Sequence, residues 1–100
     1  MLGFISAFII ASSSMQPSLF KGDVVFTCPV GFIQSGDIIT FKRQDAIVTH
    51  RALETARTIT TKGDANGTPD QVHISKQDVI GKVCFVLPLG RMFHIFFTSA

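Results

Sequence analysis

No apolar run in this 100-residue chain reaches the roughly 20 residues that a helix needs to cross a bilayer. The two longest are Leu2 to Ala11, which carries no charge, and Val83 to Phe97, which only Arg91 and His94 interrupt. Charge is sparse at 16%, with nine Lys and Arg against seven Asp and Glu. It forms no basic run and no aromatic-basic alternation, so nucleic acid gains little support as a partner. Cysteine is scarce too. Cys28 and Cys84 lie far apart without a CxxC pair, which argues against zinc and leaves a disulfide undecided. Each sits in an apolar, strand-like run, which favours two buried thiols. His50, His73 and His94 have no i,i+4 pairing, so no metal site is expected. The oxygen-rich loop of Asp64, Asn66 and Asp70 also fails as an EF-hand, with Gly67 at its fourth position and Ser75 at its twelfth.

What is present is apolar material in excess of what one small domain needs, 46% of the chain, concentrated at the two ends. Residues 2–11 are similar to the apolar core of a secretory signal peptide, but no basic residue precedes them. We read residues 1–13 as the outer end of a membrane anchor, 14–91 as a β-rich body, and 92–100 as an apolar, membrane-proximal segment containing Phe93, Ile95, Phe96 and Phe97. A core helix packed on the body is the competing reading of the leader.

Between Lys21 and Gly90 no helical periodicity of useful length occurs, and the body is expected to be mainly β. Gly22-Asp23 opens a strand at Val24–Thr27, and Gly36-Asp37 opens Ile38–Phe41. Residues 42–45 form a hairpin connection into Ala46–Arg51, where alternation puts Ala46, Val48 and His50 on one face. Further strands are expected at Arg57–Lys62, Val72–Ile74 and Lys82–Leu87, with Gly81 breaking the chain before the last. Ser75 caps a one-turn helix start, and Asn66-Gly67 with Thr68-Pro69 marks a turn-rich loop.

Chemistry is suggested by Ser12-Ser13-Ser14-Met15-Gln16-Pro17-Ser18-Leu19, where the apolar leader meets the body. A serine is a weak nucleophile until a base takes its proton and a third group orients that base. The chain offers Ser14 at this junction, His50 at a strand end, and Asp64 and Asp70 in one loop. Read singly, these are a polar linker, a half-buried strand histidine and two turn formers.

Their order and wording, however, resemble the type I signal peptidases. Ser12 to Ser18 resembles that family's S-x-S-M-x-P-T box, followed by Lys21-Gly22-Asp23, and Gly36 to Phe41 is similar to its second box. Thr49-His50-Arg51 resembles the His-Arg of the endoplasmic-reticulum and archaeal branch, where the bacterial branch has lysine. Thr61 to Asp70 resembles the last box, and Ile80 to Val83 with Pro88 the strand leading back to the membrane. The likeness spans Ser12 to Leu89.

The resemblance implies a small antiparallel β-sheet or barrel catalytic domain of signal-peptidase type with apolar, membrane-associated ends. Its activity would be that of a serine endopeptidase removing signal peptides by acyl-enzyme chemistry, without metal or other cofactor. Ser14 would be the nucleophile and His50 the general base. The Ser12 hydroxyl would help the Ser14 N–H hold the oxyanion, Asp70 would orient His50, and Asp64 would shape the site. Implied partners are signal-peptide-bearing preproteins with small residues at the first and third positions before the cut, and membrane lipid. The catalytic domain would face the extracytoplasmic or lumenal side. Ser18 for Thr, Ser13 for Gly and Ala65 for Asn depart from the family, the last removing a loop hydrogen bond worth about 1 kcal/mol net. Two competing readings are an inactive or truncated binding module and a repressor-type self-cleaving protease. The second uses lysine as base and carries a DNA-binding domain.

Overall fold

The computed structural model describes residues 4–29 and 31–92. Six strands make one sheet: β1 (Ser6–Ile9), β2 (Val24–Cys28), β3 (Ile38–Arg43), β4 (Ala46–Thr55), β5 (Ile59–Lys62) and β6 (Val79–Leu87). Their spatial order is β1-β2-β6-β3-β4-β5, and every neighbouring pair is antiparallel. A three-residue 3₁₀ turn, Lys76–Asp78, precedes β6, and the Asp78 carboxylate accepts the Ser75 N–H at 3.0 Å. Among the described residues no helix is long and apolar enough to cross a membrane.

The alternation of β3 separates two cores. Ile39 and Phe41 are fully buried with Ile33, Ala52, Ile59 and Ile74. Ile38, one residue out of phase, packs instead with Ile10, Met15, Leu19 and Val25. The second cluster fixes the segment that carries Ser12, Ser13 and Ser14. The chain leaves the sheet after Ile10 and returns at Gly22, its ends joined by Ile10 N–H to Asp23 O and Gly22 N–H to Ile10 O, both 2.8 Å. Within this loop Met15 and Leu19 are each only 1% exposed, so burying two large apolar side chains anchors the loop on the sheet and leaves Ser12 and Ser13 exposed.

Residues Ser6–Ile9 form edge strand β1 against β2, with Phe8 packed on the second core. The structure corrects two sequence expectations. Gly81 does not break the chain but lies within β6 at a bulge, where a Cβ would come within 2.7 Å of Thr27 Cβ. The cysteines are not buried thiols. Cys28 and Cys84 form a disulfide with Cα atoms 5.9 Å apart, at a bulge that leaves Cys84 out of the register between the Phe26–Phe85 and Thr27–Val83 pairs. Smaller differences follow the pairing. β4 runs on to Thr55, and the expected strand at Val72–Ile74 is a single bridge from Ile74 to Ile59. The apolar segment from Phe93 onward lies outside the described residues.

Candidate active site

His50 sits on β4 opposite Ile39 of β3, on the face that carries Phe41 and Ala52, and is 6% exposed. The edge of its ring meets the Phe41 ring at a centroid distance of 6.3 Å, which restricts the imidazole from one side. Two hydrogen bonds then fix its orientation. Nδ1 lies 2.6 Å from Asp70 Oδ2, and Nε2 lies 3.0 Å from Ser14 Oγ. An ionised carboxylate only accepts, so Nδ1 carries the proton and the Nε2 lone pair faces the serine hydroxyl.

Asp70 is held by β5. Its N–H donates to Thr61 O at 2.8 Å, and the Thr61 hydroxyl donates to Asp70 Oδ2 at 2.7 Å. Arg43, at the end of β3, approaches the same oxygen at 3.5 Å. Burial pushes the Asp70 carboxyl up, but the Thr61 and His50 hydrogen bonds, with the charges of His50 and Arg43, outweigh it and hold the group below the ordinary carboxylate range.

Asp64 has a different set of partners. Arg51 clasps it in a two-pronged pair, Nε to Oδ1 at 2.9 Å and Nη2 to Oδ2 at 2.8 Å, while the Ser18 hydroxyl donates to Oδ2 at 2.6 Å. The Arg51 hydrogen bonds chiefly hold Asp64 below its usual range, and Asp64 in turn raises Arg51. Ser18 thereby ties the serine loop to the acidic loop. Next to this clasp the Ala65 N–H donates to Ser14 O at 2.8 Å, and a Cβ on Gly63 would lie 2.7 Å from that same carbonyl oxygen. Glycine at 63 lets the acidic loop press directly on the Ser14 backbone.

Ser12 Oγ is 3.0 Å from Ser14 Oγ, and the Ser14 N–H reaches Ser12 Oγ only at a long 3.4 Å. These groups open on a cleft of about 460 Å³. Residues Phe8 to Ser12, Ser14, Met15, Arg43 and Ile47 to His50 line it. The chain matches no family model, and no curated protein matches it.

All five residues singled out from the sequence thus lie at one locality in two groups, Ser12-Ser14-His50-Asp70 and the Asp64–Arg51 clasp. Sequence reading gave no role to Thr61, Arg43 or Arg51. A strand threonine or a hairpin-end arginine bears no mark in the sequence of the partner that register places beside it. Lys62, the lysine nearest in sequence to this loop, donates to Gly63 O at 3.2 Å. Among the described residues no group of His, Cys, Asp and Glu could hold a metal ion.

Proposed function

We propose that the protein is a membrane-associated serine endopeptidase of signal-peptidase type. The observation that carries this reading is the continuous Ser14–His50–Asp70 hydrogen-bond chain, with its serine lining a cleft. In the reaction, Ser14 Oγ attacks a peptide carbonyl while His50 Nε2 takes the hydroxyl proton. Asp70 stabilises the imidazolium, which then gives the proton to the leaving amine. Water, deprotonated by the same nitrogen, hydrolyses the ester and frees Ser14. The Ser14 N–H and the Ser12 hydroxyl would donate to the developing oxyanion, where one well-aimed donor is worth about 3 kcal/mol of barrier. The N–H gives up only a long contact to Ser12 Oγ when substrate arrives, while the Ser12 hydroxyl turns away from Ser14 Oγ, 3.0 Å from it.

The outer face of β1, β2 and β6 supports the membrane part of the reading. Ile9 pairs through Val24 with Leu87, and Ala7 through Phe26 with Phe85, so these six side chains share one face. Ile9 is 72% and Phe85 60% exposed, an apolar surface beside the cleft that fits lipid. Substrates would be preproteins whose signal peptides lie in that lipid. The test is to mix the chain with such a precursor, quench in acid, and measure the mass of the Ser14 peptide. An acyl adduct on Ser14 is expected, and cleavage proceeding with an adduct on another residue overturns the assignment.

A further inference from the structure

We propose that Arg43 is a positioning residue that sets the proton affinity of His50 through Asp70, keeping the imidazole available as a base. The proposal deepens the peptidase reading and rests on it. The geometry is a linear chain of charge. Arg43 Nη1 lies 3.5 Å from Asp70 Oδ2, and that same oxygen lies 2.6 Å from His50 Nδ1.

A buried carboxylate against an imidazole favours the imidazolium, and an imidazolium cannot accept the serine proton. Asp70, whose side chain is 10% exposed, would therefore orient His50 at the cost of its basicity being spent on a solvent proton. A fixed cation on the carboxylate's other side offsets this. It leaves the hydrogen bond and the tautomer in place while weakening the negative potential at the ring. Thr61 contributes orientation without charge.

The charged groups facing this oxygen are few. From β3 comes Arg43, and from β4 comes His50. β5 presents the Thr61 hydroxyl, and the serine loop presents Ser14, neither charged. Among the described residues, Arg51 is paired with Asp64, and Lys62, which keeps its charge while donating to Gly63 O, acts on Asp64. Arg43 is thus the cation placed to act on the Asp70–His50 pair. Its side chain is 31% exposed and lines the cleft, so a polypeptide bound there would cover it. Excluding water there strengthens its influence when the base is needed.

The test titrates the His50 ring by NMR in the wild-type chain, in Arg43→Gln and in Arg43→Lys, with His50→Gln used to assign its resonances among the three histidines. Losing one positive charge beside the Asp70–His50 pair is expected to raise the His50 midpoint. Lysine, which keeps the charge, should restore most of the wild-type value. The acid limb of kcat/KM on a signal-peptide precursor should move by the same amount and in the same direction. A midpoint unchanged or lowered in Arg43→Gln overturns the proposal, as does a shift that Arg43→Lys shares in full. If the wild type fails to cut the precursor, the peptidase reading fails, while the titration still decides whether Arg43 controls His50.

Discussion

Asp64 and Asp70 are six residues apart in one loop, yet each has its own partner. Arg51 and Ser18 hold Asp64, and Thr61, His50 and Arg43 hold Asp70. Burial works against both carboxylates, but their hydrogen bonds leave both below the ordinary range. A carboxyl depressed in the folded state adds stability that is complete above its unfolded pKa, near 3.9, and is lost as pH falls through the lower folded value. The Asp64–Arg51 pair is partly exposed, 18% and 31%, which limits its share to about 1 kcal/mol. Urea unfolding should therefore show a lower midpoint at pH 2.5 than at pH 7. Asp64→Asn should lose stability at pH 7 and show a smaller acid decrement than the wild type. Equal midpoints for the wild type at the two pH values would contradict this account. The two roles could not be divided from sequence alone. Asp64 and Asp70 sit in the same turn-rich segment, and what separates them is the register of β5 against β4, which aligns Thr61 with Ala52 and Lys62 with Arg51.

At the scale of elements, β2 and β6 carry the second core on one face and the Cys28–Cys84 bridge at their far end. The bridge closes a sequence separation of 56 residues, so breaking it should destabilise the fold by about 2–4 kcal/mol. Thermal melts with and without a thiol reductant check this, and an unchanged Tm with both thiols shown free would contradict it. Strands β3 and β4 were legible because Gly-Asp turns and period-2 alternation mark them locally. The bridge was not, since it depends on a bulge between Phe26 and Thr27 that shifts β6 by one residue. β1 was not legible either. An uncharged apolar decapeptide fits an anchor, a helix or a strand equally well, and the choice is made by pairing with Val24–Thr27, far along the chain. Gly81 looked like a breaker for the same reason: its role is set by Thr27, which the sequence does not place beside it.

For the whole molecule, one face of β1, β2 and β6 is apolar and exposed while the adjoining cleft holds the serine, so lipid and chemistry would be neighbours. Phosphatidylcholine vesicles should carry the protein upward on a density gradient, and Phe85→Asp should weaken that flotation several-fold, since a charge on an inserted face costs far more than it does in water. Equal flotation of the two proteins would show that this face does not meet lipid. Cleavage itself tests the central claim most directly. A signal-peptide precursor is incubated at neutral pH, in detergent or lipid, with the wild-type chain, Ser14→Ala and His50→Ala. The account predicts cutting by the wild type and a loss of at least about 10³-fold in both variants. Cleavage by Ser14→Ala at the wild-type rate would contradict it.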